Sequence, residues 1–233
     1  MTTDRASFFP ADFRRHLLIA LLFAGMVAGC YLFVDRPAAI WARGLDPRIV
    51  AAFKKITLLG SSGPYLIVLA GLYPALRFYL HRAIASKQAL FVGAAIVISG
   101  LTVDLLKPVV ARWRPIAYFA EPSRYGFVFF KIGHKHDSFP SGHATTAWAV
   151  ACALTLLYPR QRVLWISAAA VVAASRVIVG AHYPGDVLAG AWFGVVISLV
   201  LSRTAWFREA IAAPGDEAQN CETSTTKKIV REQ

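Results

Sequence analysis

The chain has 233 residues, enough for one domain, and 57% of them are apolar while only 16% are charged. With a mean hydropathy of +0.51, this composition argues against a water-soluble fold and is typical of an integral membrane protein. A net charge of +12 would suggest nucleic acid in a soluble protein, but here the cations lie at the ends of apolar runs, where they contact lipid headgroups. We therefore expect membrane lipids, and no nucleic acid, as partners.

The first predicted element follows a polar N-terminus at residues 1–16. An unbroken apolar run from Leu17 to Val34 is long enough, at about 27 Å, to cross a bilayer as a helix. A lipoprotein signal ending at Cys30 is the alternative, but apolar residues continue past that cysteine, which favours a retained span. The three cysteines have no paired spacing and predict no disulfide framework.

Residues 35–63 mix basic, aromatic and apolar side chains and are interpreted as an interfacial amphipathic segment. Five more apolar runs then complete a predicted bundle of six transmembrane helices, an all-α membrane fold. These runs cover residues 64–80, 88–106, 144–158, 163–180 and 187–202. One membrane domain over residues 17–206 is expected, followed by a polar tail over residues 207–233 that is disordered in part.

Six spans place both termini on one side of the membrane, and cations are frequent near the span ends on that side. They are Arg14, Arg15, Arg77, Arg82, Lys87, Arg160, Arg162, Arg203 and Arg208. The positive-inside rule makes this side, including residues 1–16, cytoplasmic. The loops after the third and fifth spans then face the periplasm or the exterior of a bacterial inner (plasma) membrane.

Three clusters of polar residues open on that outer face. They are Lys107–Pro115, Phe139–His143, and Ser175–Arg176 with His182–Asp186. A phosphoryl group in transfer carries charge on three oxygens and needs fixed donors around it. Lys107 offers a point charge, while Arg114 and Arg176 offer planar forks. Any one of these cations alone would more simply snorkel to headgroups.

The second cluster stands where the fourth span begins. Ser141 is the predicted N-cap, so the free N–H groups of the first helical turn form an anion site to which Ser141 and Gly142 contribute. His143, at the same helix end, can give a proton to a leaving-group oxygen. Without its neighbours, Pro-Ser-Gly would be read as a plain turn.

The third cluster pairs a histidine with a carboxylate. His182 and Asp186 are four residues apart, and Pro184 is suited to start a helix, so the carboxylate can reach back to the imidazole. Such a pair would fix the tautomer and leave the other ring nitrogen free to attack phosphorus.

Together these residues resemble the type 2 phosphatidic acid phosphatase superfamily, in its membrane branch. Its motifs are Lys-six residues-Arg-Pro, Pro-Ser-Gly-His, and Ser-Arg-five residues-His-three residues-Asp, and all three match in full between Lys107 and Asp186, about a third of the chain. The resemblance implies that His182 is a nucleophile forming a phosphohistidine, Asp186 orients it and His143 protonates the leaving group. It also implies phosphate binding by Lys107, Arg114, Ser141, Gly142 and Arg176, without a metal or other cofactor.

Other polar residues near the clusters have simpler interpretations. Asp104, one helical turn before Lys107, is expected to pair with it structurally. His134, His136 and Asp137 would suggest a metal, but a closed ligand set is missing, and headgroup or solvent contacts are favoured. The loop of residues 107–143 interleaves aromatic and basic side chains, which is typical of a segment lying against the headgroup layer.

The sequence thus predicts a membrane phosphatase that acts on a lipid phosphate or pyrophosphate at the outer leaflet. The alternatives are an enzyme like the vanadate-dependent haloperoxidases and a non-catalytic protein that binds or transports anionic lipids. Phosphatidic acid, phosphatidylglycerol phosphate, undecaprenyl pyrophosphate and the phosphates of lipid A all present the same terminal group, so the substrate is left open. The oligomeric state is left open as well.

Overall fold

A computed structural model describes residues 10–212, which fold as helices joined by loops, without a strand in that range. The helices are α1 Pro10–Gly29, α2 Asp35–Arg43, α3 Pro47–Ile56, α4 Ser62–Pro74, α5 Ala83–Val110, α6 Pro115–Ala120, α7 Gly142–Leu157, α8 Arg162–Ile178, α9 Pro184–Ser202 and α10 Ala205–Ala212. Short π-helical turns at Cys30–Val34 and Ala75–Tyr79 and a 3₁₀ turn at Thr57–Gly60 continue or connect them.

Five helical segments of the described chain are long and apolar enough to cross a membrane. They are Leu17–Arg43, Pro47–Tyr79, Ala83–Val110, Pro159–Ile178 and Pro184–Ser202. The sixth predicted span, α7, is a shorter apolar helix of 16 residues, about 24 Å long. The predicted all-α membrane bundle is confirmed, with five helices of full length and one shorter helix where six spans were predicted.

The segment at residues 35–63 differs from its interpretation as a separate interfacial piece. The helix α2 continues the first spanning segment through the π-helical turn at Cys30–Val34, and α3 leads through the 3₁₀ turn into α4. Both α2 and α3 are amphipathic, but hydrogen bonding continues across the start of α2, where the Asp35 N–H donates to the Cys30 carbonyl, and across the end of α3, where the Thr57 N–H donates to the Phe53 carbonyl. The first two spanning segments are therefore longer than the apolar runs alone indicate.

Helix α7 lies inside the bundle, packed against α5, α8 and α9. Its contact with α9 is close because two glycines of α9 face its backbone: a β-carbon at Gly190 would clash with the Ser141 carbonyl, and one at Gly194 would lie 2.5 Å from the Thr145 carbonyl. Small residues allow such backbone contact between membrane helices. The first turns of α7 and α9 are thereby held side by side.

Helix α10 packs at the end of the bundle where α5 begins and α7 ends. Phe207 is buried among side chains of α5 and α7, Lys87 forms an ion pair with Glu209, and Gln88 Nε2 donates to the Ala210 carbonyl at 3.0 Å. The predicted polar tail at residues 207–233 thus begins inside a packed helix, because Phe207 and Ala210 of α10 are buried against the bundle. The rest of the tail, residues 213–233, lies outside the described residues.

Candidate active site

Each predicted site residue lies at the same end of the bundle, at the end or start of a helix. Lys107 is in the last turn of α5, Arg114 is the N-cap of α6, Ser141 is the N-cap of α7, Arg176 is in the last turn of α8, and His182 and Asp186 flank the start of α9. A β-carbon at Gly142 would lie 3.4 Å from Lys107 Nζ, and the Ser141 N–H donates to the Asp186 carbonyl at 3.0 Å. The three clusters therefore converge.

The imidazole of His182 is buried and held through one nitrogen. Its Nδ1 lies 2.7 Å from the backbone carbonyl oxygen of Ser138. A carbonyl only accepts, so Nδ1 carries the proton in this contact and Nε2 keeps its lone pair. Burial lowers the pKa of His182; the Asp186 carboxylate opposes this change, while the charges of Arg114 and Arg176 add to it. The ring is therefore held neutral with Nε2 free.

Asp186 acts on the imidazole mainly through Ser138. Its Oδ2 lies 3.8 Å from His182 Nδ1, beyond hydrogen-bond distance, but accepts from Ser138 Oγ at 2.6 Å and from the Tyr183 N–H at 2.9 Å. The sequence predicted direct contact from the spacing of four residues. The difference arises because Asp186, in the first turn of α9, folds back onto the N–H of the N-cap residue.

The other oxygen of Asp186 binds a buried arginine that the sequence analysis did not assign a role. Arg112 Nη1 donates to Asp186 Oδ1 at 2.6 Å, and Arg112 Nη2 donates to Asp35 Oδ2 at 2.7 Å. Arg112 is 1% exposed, and both aspartates are fully buried. A signal was present in Asp35, since a carboxylate at the end of an apolar run requires a partner.

Two cations of the first cluster form ion pairs while remaining partly exposed, Lys107 at 21% and Arg114 at 16%. Lys107 Nζ lies 2.7 Å from Asp104 Oδ1, which confirms the predicted pair. Arg114 pairs through Nε alone, at 2.7 Å from Asp137 Oδ1, so its two terminal nitrogens are directed elsewhere. Burial opposes ionisation of Asp137, but the hydrogen bond and charge of Arg114 keep the pKa of Asp137 below its ordinary value.

Arg176 and His143 contact a segment that precedes the three motifs in the chain. Arg176 Nη1 donates to Thr57 Oγ1 at 2.6 Å, and Ser61 Oγ lies 3.4 Å from His143 Nε2. Gly60 fits here because it lacks a side chain: a β-carbon would lie 2.9 Å from His143 Cβ. The sequence analysis missed Thr57 and Ser61, because neither belongs to a recognisable motif.

The start of α7 offers unpaired donors. Ser141 is its N-cap, as predicted, yet the hydroxyl makes no capping bond, and Oγ is buried without a partner within residues 10–212. An unsatisfied buried hydroxyl costs about 1–3 kcal/mol, which a bound acceptor would recover. With the free N–H groups of the first turn, this hydroxyl can bind an anion.

The three candidate metal residues each have a protein partner. Asp137 is bound to Arg114, His134 is exposed with Nδ1 at 3.3 Å from Asp137 Oδ2, and the ring of His136 packs on Trp113 with centroids 4.0 Å apart. Asp137 is thus partly exposed but engaged by Arg114, which its interpretation as a headgroup or solvent contact did not include. Within residues 10–212, no group of three or more His, Cys, Asp or Glu side chains could hold a metal ion.

The long loop presents apolar side chains outward at its tip. Phe130 is 82% exposed and Ile132 is 91% exposed, on either side of Lys131. Nearer the site, Phe127 and Tyr125 instead pack around Arg112, with ring centroids 5.2 and 5.6 Å from its guanidinium carbon. Phe130 is thus exposed, whereas Tyr125 and Phe127 surround the buried guanidinium of Arg112.

Comparison with protein families gives a match to the PAP2 superfamily model over residues 88–210, more than half of the chain. The chain belongs to the PAP2 superfamily. The resemblance based on the three motifs is thereby confirmed, since the matched range of this PAP2 chain contains all of them.

Two curated PAP2 relatives illustrate the range of named activities. A lipid A 1-phosphatase of Rhizobium johnstonii is 42% identical over 135 residues, covering 53% of this chain and 55% of the relative. An undecaprenyl-diphosphatase of Sulfolobus acidocaldarius is 34% identical over 124 residues, covering 49% and 55%. The chain spans little more than half the length of each of these two relatives.

Two solved structures share the fold. A transmembrane PAP2 type phosphatidylglycerolphosphate phosphatase from Bacillus subtilis has a TM-score of 0.55 at 20% identity, covering 80% of this chain and 93% of that structure. Aquifex aeolicus LpxE has a TM-score of 0.52 at 19% identity, covering 73% and 96%. With the apolar spanning helices, these likenesses establish an integral membrane protein of the PAP2 fold.

Proposed function

We propose that this PAP2 protein is a membrane phosphatase that hydrolyses a phosphomonoester or pyrophosphate on a lipid through a phosphohistidine intermediate. The observation that carries the proposal is the orientation of His182. The Ser138 carbonyl holds Nδ1 at 2.7 Å, which leaves Nε2 unprotonated among cations suited to binding phosphate. Neither a headgroup contact nor a structural histidine requires this combination.

In the first step, Nε2 of His182 attacks phosphorus and the bond from phosphorus to the leaving oxygen breaks. Lys107, Arg114 and Arg176 stabilise the charge on the three equatorial oxygens, together with the hydroxyl of Ser141 and the N–H groups at the start of α7. His143 gives its proton to the departing oxygen. A lipid alcohol is a poor leaving group, so this proton matters most for a monoester.

In the second step, a water molecule attacks the phosphohistidine on phosphorus and the bond from phosphorus to Nε2 breaks. His143, deprotonated in the first step, takes a proton from the water and returns to its starting state. Inorganic phosphate is released, and His182 is again neutral with its Nδ1 proton held by Ser138. No step requires a metal ion or another cofactor.

The site lies at one end of the bundle, and Lys87, Arg160 and Arg203 lie at the other ends of α5, α8 and α9. By the positive-inside rule, these cations support a site on the periplasmic or exterior side. The Rhizobium and Sulfolobus relatives are named for lipid A and undecaprenyl diphosphate, and both names describe a phosphate on a lipid anchor. We propose a substrate of that class.

The test is phosphate release by the purified full chain in detergent, from a panel of lipid monophosphates and pyrophosphates with a chelator present. The proposal predicts turnover of at least one lipid without added metal. Activity that disappears in chelator and returns with magnesium would contradict the metal-free mechanism. Failure to release phosphate from the panel and from a chromogenic phosphate ester would contradict the function itself.

A further inference from the structure

We infer that Asp35 and Arg112 are positioning residues for the nucleophile, acting on His182 through Asp186 and Ser138. The inference rests on the proposed function and adds two residues to it. Asp35 lies outside the range matched by the family model, and Arg112 lies within the first motif at a position that the motif leaves unspecified.

The first link is a buried charge cluster in which every carboxylate oxygen has a donor. Asp35 Oδ1 accepts from the Gly185 N–H at 2.9 Å and Oδ2 accepts from Arg112, while Asp186 accepts from Arg112, Ser138 and Tyr183. Two carboxylates facing one guanidinium leave a formal charge of −1. Loss of either contact with Arg112 would leave a buried carboxylate without its cation, so these contacts fix Asp186 in one place.

The second link is Ser138, which is held at three points. Its Oγ donates to Asp186 at 2.6 Å, its N–H donates to the Arg112 carbonyl at 3.1 Å, and its carbonyl accepts from His182 Nδ1 at 2.7 Å. Two of these three points belong to the charge cluster. A shift of Arg112 or Asp186 would therefore move the carbonyl that sets the position and tautomer of the imidazole.

The third link joins the first spanning segment to the catalytic turn. Asp35, at the start of α2, contacts both Arg112 and the backbone of Gly185, which is three residues from His182. Around Arg112 the rings of Tyr31 and Tyr183 lie 5.1 and 4.4 Å from the guanidinium carbon. These rings exclude water, so the cluster is rigid as well as paired.

Arg112 is not suited to bind phosphate directly. Both of its terminal nitrogens are engaged by carboxylates, and the residue is 1% exposed. Its effect on the reaction must therefore pass through the residues it contacts. Positioning predicts a loss in turnover without a loss in phosphate affinity, whereas a purely structural role predicts losses that follow the folded fraction.

The experiment compares Asp35→Asn and Arg112→Lys with wild type in detergent. Asparagine keeps an acceptor for the Gly185 N–H, and lysine keeps the buried positive charge. We expect both variants to fold for these reasons. Asp46→Asn is the matched control, because it is the same substitution at an aspartate close in sequence. Asp46 caps α3 by accepting from the Arg48 N–H and, in the described part of the chain, has no contact with the charge cluster. For each variant we measure kcat, the inhibition constant of inorganic phosphate, and the folded fraction by thermal unfolding.

We expect kcat per folded molecule to fall about tenfold or more in both variants, since small misplacements of a nucleophile are costly. The phosphate inhibition constant should change by less than about twofold, since Lys107, Arg114 and Arg176 are untouched. In the Asp186→Asn background, Asp35→Asn should cause little further loss, because the two aspartates act along one path. Asp46→Asn should match wild type.

Unchanged kcat in Asp35→Asn, or losses of Asp35→Asn and Asp186→Asn that multiply in the double variant, would overturn the inference. Losses that equal the unfolded fraction, or variants that cannot be obtained folded, would assign the cluster a structural role and also overturn it. A wild-type chain without phosphatase activity would contradict the proposed function, and the inference with it. Failure of the proposed function would thus appear in the wild-type measurement, and failure of the positioning role would appear only in the variants.

Discussion

Two layers of ion pairs lie beneath and around His182, and they differ in what they leave exposed. The inner layer is Asp35, Arg112 and Asp186, whose side chains are at most 1% exposed. The outer layer is Lys107 with Asp104 and Arg114 with Asp137, in which Arg114 is 16% and Asp137 is 27% exposed. Arg112 and Arg114 are two residues apart, yet one belongs to each layer.

The difference shows how one short segment serves two tasks. In the inner layer both terminal nitrogens of Arg112 are bound to carboxylates, so its charge orders the protein. In the outer layer Arg114 is held by Nε alone, which fixes the plane of the guanidinium and leaves its fork for a ligand. The contacts of an arginine, more than its presence in a motif, therefore indicate its role.

The largest expected effect separates the layers by stability. Arg112→Met would leave two buried carboxylates without their cation, which costs about 3–5 kcal/mol, whereas Arg114→Met should cost less than about 1 kcal/mol. Thermal unfolding of both variants in the same detergent measures the difference. Equal destabilisation by the two substitutions would remove the distinction between the layers.

The second expected effect separates them by ligand binding. Arg114→Met should lower kcat by about 10²–10³ by removing a donor to the transition state, and should weaken inhibition by phosphate. Arg124→Met is the control, because Arg124 lies in the same loop but pairs with Glu121 at the surface. Steady-state kinetics with a chromogenic ester checks this. Full activity of Arg114→Met would exclude Arg114 from the site.

A smaller effect is expected for the carboxylate that holds Arg114. Asp137→Asn should lower kcat about fivefold, the equivalent of about 1 kcal/mol for a weakened charge-assisted hydrogen bond. Because a negative charge is also removed beside the cations, phosphate should inhibit more strongly than in wild type. A kcat equal to that of wild type would mean that Asp137 does not act by orienting Arg114.

The smallest expected effect is a shift in pH dependence. Burial, together with the charges of Arg114 and Arg176, lowers the pKa of His182, so its neutral form should persist below its ordinary pKa of about 6.5. The acid limb of kcat/KM should therefore lie below that pH in wild type. Arg114→Met removes one positive charge, which raises the pKa of His182 and should move the limb to higher pH. Movement to lower pH would contradict the assignment.

The sequence predicted the outer layer better than the inner one, for a physical reason. Apolar runs fix where helices end, and alternation of spans brings those ends to one face, so Lys107, Arg114 and Ser141 could be expected together. The partners of Arg112 are 77 and 74 residues away in the chain, at Asp35 and Asp186. No spacing rule reports such contacts, because they depend on how helices pack.

The spacing of His182 and Asp186 shows that local helix geometry alone does not determine which atoms make contact. Four residues on a helix do bring side chains to one face. Here, however, Asp186 accepts from the N–H of Tyr183, and the Ser138 carbonyl takes the place beside Nδ1. The sequence thus identified His182 and Asp186 as neighbours. It did not identify the Ser138 carbonyl, which holds the imidazole and lies in a loop 44 residues earlier.

The most direct test of the account is to trap the phosphorylated protein. The full chain is mixed with a substrate carrying labelled phosphate, quenched without acid because phosphohistidine is acid-labile, and digested to locate the label. Label is expected on His182 in the wild-type chain and none in His182→Ala, which should also release no phosphate. Label that persists in His182→Ala, or turnover by that variant, would contradict the assignment of His182 as the nucleophile.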